Sequence, residues 1–272
     1  MSAARLDPVQ ISHRGGRRRN EDRVGHARRG EATLLLLADG MGGHPDGDVA
    51  AQLALQTLDL LFARAAQPRI AAPATFLAEA VHTAHRQLVE HARLQALDDT
   101  PRTTLVACLV QEDEAWWAHC GDSRIYLLRD GHLLARTRDH SYAEMPPEAA
   151  EHLADWAQMN RHVLFTCLGS PTPPRVDVAG PLPLQPGDCL MLCSDGLWGN
   201  LDEDMLVAAL SDGPPEDALP ALAEAALDAG GPRCDNVSAL ALRWPGPGLA
   251  EAESAEGSTI EHRLKAPPLP GA

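Results

Sequence analysis

No segment of the 272-residue chain reaches the run of about 18 apolar residues that a membrane span needs, and the opening MSAARLDPVQ has no apolar core of the kind a signal peptide carries. A membrane role is excluded on this reading, and the cytoplasm is the expected compartment. Cysteine is scarce: six residues stand apart at positions 108, 120, 167, 189, 193 and 234, without a CxxC pair and without the crowding of a secreted disulfide scaffold. That argues against a zinc site of the usual spacing and leaves buried, reduced thiols as the expected state. Positive charge is also in deficit. A net charge of −15 suits neither nucleic acid nor an anionic membrane surface, both of which reward a basic face. There is no internal repeat and no linker-like stretch between residues 10 and 244, so one domain is expected there, behind a short extension over residues 1–9. After Trp244 periodicity disappears while Pro, Gly, Ala and Glu accumulate, and residues 245–272 are expected to form a disordered tail.

What positive charge there is gathers at the front, where eight arginines fall within the first 29 residues and cluster in HRGGRRRNEDR. Taken alone this reads as a solvated basic loop. Beyond it, hydrophobic periodicity gives a mixed order of elements. TLLLLAD is a buried strand. Two long amphipathic helices follow over residues 48–65 and 73–94, with Asp48 placed to cap the first. TTLVACLV, EAWWAHC and SRIYLLRDGHLLART read as an antiparallel meander with Asp130-Gly131 as a hairpin turn. A helix is expected over 148–158, strands in HVLFTCLG, RVDVAG and CLMLC, helices over 202–210 and 216–229, and a last strand in NVSALALRW. Adjacent Trp116 and Trp117 must face opposite sides of their strand, and a structural role is expected for both. Trp156 and Trp198 also invite stacking, and Trp198 is placed to line a pocket rim.

The chemistry gathers at strand ends. LLLLADG puts Asp39 after a buried strand, CLMLCSDG puts Asp195 in the same position, and CDNVSALAL puts Asp235 just before one. A single Asp-Gly is ordinary turn chemistry. Several such acids, joined by NED and GDSR, would repel one another if they converged, unless cations sat between them. All-oxygen donors suit hard divalent ions such as magnesium or manganese. Two ions sharing a carboxylate make a hydroxide available near neutral pH, a nucleophile for a phosphoryl group. Arginine is the natural partner for the phosphate oxygens.

Laid out in order, SHRGGRRRNEDR, ADGMGGH, GDSRIY, CSDGLW and CDNVS resemble the motifs of the metal-dependent serine/threonine protein phosphatases of type 2C, the PPM family, in its bacterial stand-alone form. The resemblance covers about residues 10–244. It implies an α+β fold, a four-layer αββα sandwich of two antiparallel sheets flanked by helices. It implies two Mn2+ or Mg2+ ions, with Asp39 bridging them, the Gly40 carbonyl ligating one, and Asp195 and Asp235 completing the other. Glu21 and Asp22 match the acidic pair that acts mostly through metal-bound water, and Arg17 falls on the phosphate-binding arginine. Arg14, Arg18 and Arg19 fall on no motif position and are expected on the solvated surface. Asp122 matches the ligand of a third metal, assisted by Asp195; a plain turn role is the alternative. Where the animal branch has a histidine after the Asp-Gly, this chain has Met41, and the general acid is either His44 or metal-bound water. Arg102, in PRTT, stands where relatives carry a glycine, and the flap region after DHSYAEM is short and broken by prolines. The implied activity is hydrolysis of phosphoserine and phosphothreonine in a protein, with a serine/threonine kinase as the candidate partner it opposes, by a monomeric enzyme. A phosphoprotein-binding module on the same fold, or a small-molecule phosphohydrolase, are the alternatives.

Overall fold

The strand β3 (Ala32–Asp39) shows why the chain layers as it does. Successive side chains of a strand point to opposite faces, so a run of leucines must be covered on both. Leu34 and Leu36 enter one core cluster, Leu35 and Leu37 another, and all four are completely buried. One face of β3 needs helices and the other needs a second sheet.

The computed structural model describes residues 8–42, 46–145, 163–246 and 257–260. Strand β3 lies within a six-stranded antiparallel sheet in the order β11 (Gly257–Ser258), β2 (Asp22–Arg29), β3, β4 (Leu105–Gln111), β5 (Glu114–Cys120) and β8 (Asp177–Pro183). The second sheet has five strands in the order β1 (Val9–His13), β10 (Val237–Arg243), β9 (Cys189–Cys193), β6 (Arg124–Arg129) and β7 (His132–Arg136). Helices α1 (Gly47–Ala65) and α2 (Pro73–Leu94) cover the six-stranded sheet through Leu53, Leu58, Phe62, Leu77 and Leu88. On the outer side of the five-stranded sheet lie α3 (Asp195–Trp198), α4 (Glu203–Asp212) and α5 (Pro215–Gly230), packed through Leu197, Leu206, Leu210, Leu219 and Leu222. Between the sheets, Leu35, Leu37 and Val106 meet Ile125, Leu190, Leu192 and Leu240. The four layers are those the family resemblance implied.

The tryptophan pair divides as its spacing required: Trp116 joins the cluster under α1 and α2, and Trp117 the cluster between the sheets. All six cysteines are free and buried. Asp130 and Gly131 take positive φ of 50° and 76°, the conformation of a tight hairpin turn between β6 and β7.

Several expectations differ from the structure. Residues 14–21 of the stretch read as a basic loop are loop, but strands β1 and β2 flank it unannounced; in β2, DRVGHARR, only Asp22, Gly25 and Ala27 are buried, and its charged residues conceal the strand. The described part of HVLFTCLG, residues 163–169, forms no strand: Leu164 and Leu168 make isolated bridges to Ser141 and Thr103. Helix α1 starts from Asp46, in the left-handed region at φ 50°, so Asp48 sits in the first turn and is not the cap. Within the stretch expected to be disordered, Gly257 and Ser258 pair with Arg28 and Ala27 of β2, and Ile260 is buried at 6% exposure. A glycine at position 25 makes this possible, because a Cβ there would meet the Ile260 side chain at 2.8 Å. The helix expected over 148–158, Trp156 and His44 lie outside the described residues.

Candidate active site

Antiparallel pairing sets the end of one strand beside the start of its neighbour, so acids distant in sequence collect at one rim of both sheets. Asp39 ends β3 and is the register partner of Asp22, which starts β2. Asp122 precedes β6, Asp195 follows β9 and Asp235 precedes β10, three strands that lie side by side. The acids open onto a cleft of about 650 Å3, whose walls include Arg17, Glu21, Asp39, Asp122, Asp195 and Asp235.

The backbone around Asp39 is fixed from the next strand. Thr104 Oγ1 accepts a hydrogen bond from the Asp39 N–H at 3.1 Å, and the Asp39 carbonyl accepts from Thr103 Oγ1 at 2.8 Å and from the Thr104 N–H at 2.9 Å. Thr104 in turn bonds Ser123 Oγ at 2.7 Å, linking the Asp39 strand end to the loop of Asp122. Gly40 is required by packing: a Cβ there would lie 2.3 Å from the Gly47 carbonyl oxygen and 2.8 Å from that of Glu21. Arg102 does not open the local packing. Its carbonyl accepts from the Met41 N–H at 3.0 Å, and its guanidinium reaches Asp99 at 3.3 Å. The close backbone approach comes from the other side, where a Cβ on Gly169 would sit 2.1 Å from the Pro101 oxygen.

Asn236 was given no role by the sequence reading, although it lies inside the motif CDNVS. Its Nδ2 donates to the carbonyls of Arg14 at 2.7 Å and Arg19 at 2.9 Å, and its Oδ1 accepts from the Glu21 N–H at 2.8 Å. Gly15, at φ +60°, and Gly16 let the same loop lie on the Cys234–Asp235 backbone, and the Gly16 N–H donates to the Cys234 carbonyl at 2.8 Å. The loop holding Arg17 is thereby tied to the strand start holding Asp235, and Arg17 Nη2 meets Asp235 Oδ2 at 2.5 Å. Arg18 and Arg19, expected on the solvated surface, are exposed as expected and also line the cleft beside Arg17. Asp22 departs differently. It is buried at 2% exposure, takes a 2.8 Å hydrogen bond from Ser194 Oγ, and is not among the residues lining the cleft.

The loop of Asp122 has its own buttress. The Asp122 carbonyl accepts from Trp198 Nε1 at 3.0 Å, and the Arg124 guanidinium lies 3.5 Å above the Trp198 ring. Arg124 forms a two-pronged pair with Asp139 at 2.9 and 2.8 Å, nearly buried on both sides. Removing one partner of such a pair strands a charge at a cost of about 3–5 kcal/mol.

The electrostatics test whether this cluster fits cations. Burial, then the charges of Asp22, Asp195, Asp122 and Asp235, hold the Asp39 carboxyl well above the usual range. Burial and Asp195 push Asp122 up to about 8. Asp22 is pushed up to about 7 by burial and Asp195, against the hydrogen bond from Ser194. Burial and Asp235 raise Asp195 to about 6. Glu21 is raised by burial and Asp48, with Arg17 and Arg19 acting against the rise. Among the described residues, Asp22 Oδ1 and Asp195 Oδ1 are buried without a hydrogen-bond donor. Carboxylates so crowded and so short of donors fit hard divalent cations, with oxygen as the sole donor type.

A two-sheet sandwich with converging carboxylates at its rim and an arginine beside them defines a cation-dependent hydrolase. The sequence profile of the protein phosphatase 2C family matches residues 9–213. The serine/threonine phosphatase Stp of Listeria monocytogenes is 31% identical over 203 residues, covering 73% of this chain and 78% of that protein. Protein phosphatase PhpP of Streptococcus pneumoniae is 30% identical over 236 residues, covering 82% and 90%. Among solved structures, PppA of Pseudomonas aeruginosa, a key regulatory component of T6SS, matches with a TM-score of 0.70 and 31% identity over 87% of this chain and 96% of that one. The catalytic domain of the phosphatase PstP in complex with two manganese ions matches with a TM-score of 0.71 and 30% identity over 87% and 97%. The chain belongs to the protein phosphatase 2C family.

Proposed function

We propose that the chain hydrolyses phosphoserine and phosphothreonine in proteins, transferring the phosphoryl group to water, and that it opposes a serine/threonine kinase. The observation that carries this reading is the convergence of Asp39, Asp122, Asp195 and Asp235 on one cleft with Arg17 at its wall. Asp39, the Gly40 carbonyl, Asp195 and Asp235 would hold two Mn2+ or Mg2+ ions, and Asp122 with Asp195 a third. Such ions supply an activated water near neutral pH and neutralise charge on the phosphoryl oxygens.

The chain's own residues do the rest. Arg17, on a loop anchored by Asn236, presents its guanidinium beside Asp235, where it can fork onto two phosphoryl oxygens. Thr103 and Thr104 keep the end of β3 from shifting, so the position of Asp39 is set before substrate arrives. Glu21 lines the cleft and can order water. Asp22 supports from behind, through Ser194 on the strand end that leads into Asp195.

The test follows phosphate release from a phosphothreonine peptide with manganese, with EDTA, and in Asp39→Asn and Asp195→Asn. Turnover should require the cation and fall by orders of magnitude in both variants. Robust turnover after chelation, or in either variant, would overturn the reading. A phosphopeptide preferred over an aryl phosphate and a nucleotide supports the protein substrate.

A further inference from the structure

The chain carries a net charge of −15, yet three consecutive arginines, Arg17, Arg18 and Arg19, line its cleft. Arg17 is engaged by Asp235, whereas Arg18 and Arg19 make no ion pair among the described residues. Their backbone is not a loose loop: Asn236 grips the carbonyls of Arg14 and Arg19, and Gly15 and Gly16 press the turn onto Cys234, Asp235 and Pro232. Two exposed cations are therefore held at a fixed place on the lip of a site that receives a phosphoryl group. Among the described residues that line the cleft, the three arginines are the only basic ones.

From this placement we infer that Arg18 and Arg19 are specificity determinants that select phosphorylated sites flanked by acidic residues. The inference rests on the phosphoprotein reading above and names the substrate class. A peptide crossing the cleft in extended form advances about 3.3 Å per residue, so side chains one or two positions from the phosphorylated residue come within reach of the arginines beside Arg17. An Asp, a Glu or a second phosphorylated residue on that flank meets two cations, and a Lys or Arg there meets repulsion. Selection acts mainly on encounter and binding, because neither arginine makes an ion pair with the acid cluster among the described residues.

The test uses one phosphothreonine peptide in three forms, with acidic, neutral or basic residues on a single flank, each flank in turn. Turnover with manganese is measured at low and high salt for the native chain and for the double variant Arg18→Glu, Arg19→Glu. The acidic form should exceed the neutral one by about threefold in kcat/KM per acidic residue at low salt, carried by KM and shrinking at high salt. In the double variant the ratio should fall to one or below, and the basic form should become the better substrate. Equal kcat/KM for the acidic and neutral forms in the native chain, or a preference that survives charge reversal, overturns the inference while leaving phosphopeptide turnover intact. No turnover of any form overturns the phosphoprotein reading itself, and the inference falls with it.

Discussion

Replacing Asn236 by alanine should loosen the entire arginine loop, because one amide supplies three hydrogen bonds across it. Two go to the carbonyls of Arg14 and Arg19 and one comes from the Glu21 N–H, all between 2.7 and 2.9 Å. Asn236 is 5% exposed, so water does not easily take its place. At a net value of about 1 kcal/mol per hydrogen bond, Asn236→Ala should cost about 3 kcal/mol. In a chain of this size that is about 6–12 °C in melting temperature. Asn236→Asp is the sharper control. It keeps an acceptor for Glu21, removes both donors and sets another carboxylate beside Asp235, so its loss should be at least as large. Urea unfolding followed by tryptophan fluorescence gives the stability, and phosphopeptide kinetics should show KM rising as Arg17 loses its anchor. A loss below about 1 kcal/mol for both variants would refute the idea that this amide organises the loop.

Further outcomes follow from the same geometry. Without divalent cation, the folded chain keeps protons on Asp122, Asp22 and Asp195 up to about 8, 7 and 6, whereas the unfolded chain releases them near 3.8. The folded state therefore binds more protons through that window, and stability should fall as pH rises from about 4 to about 8. Manganese relieves this penalty, so the gap in melting temperature with and without it should widen across the window; a gap independent of pH would contradict the reasoning. Gly169→Ala puts a Cβ 2.1 Å from the Pro101 oxygen at φ +81°, and a loss of at least about 2 kcal/mol should appear in a thermal melt. Ile260→Ala should cost about 2 kcal/mol at most, because the 257–260 segment can detach before the core is disturbed; cleavage of the tail by a protease should quicken while the core remains intact.

The fold was legible in most stretches of continuous apolar character, HVLFTCLG being the exception. Strand β3, both long helices, the meander and its Asp130-Gly131 turn follow from hydrophobic period and turn chemistry alone. Strands β1 and β2 were hidden, since VQISH is short and half-exposed and DRVGHARR carries charge, and only pairing with β10 and β3 makes them strands. The short strand at Gly257 was hidden for a related reason: two residues have no period, and their order comes from the edge of β2. In the site, the acids were legible because motif order named them, and the structure brings Asp39, Asp122, Asp195 and Asp235 to one cleft. Asn236, Thr103, Thr104 and Ser194 were not, since their roles lie in bonds to backbone and buried carboxylate that no side-chain type announces. Arg18 and Arg19 showed the limit of reading charge along a chain, because exposure to solvent and exposure to a cleft are the same thing in one dimension.

The strand at Gly257–Ser258 also bears on how the molecule behaves at high concentration. An uncovered β2 would offer the six-stranded sheet a row of unpaired amides and carbonyls, a template for strands of other molecules. Here the row is met by a segment of the same chain, joined to the last long strand through only the residues between Arg243 and Gly257. A tether of that length keeps its own strand at an effective concentration in the millimolar range, which outcompetes neighbouring molecules by connectivity instead of by composition. Loss of the segment would turn a private pairing into a shared one, and association between copies would then grow with protein concentration.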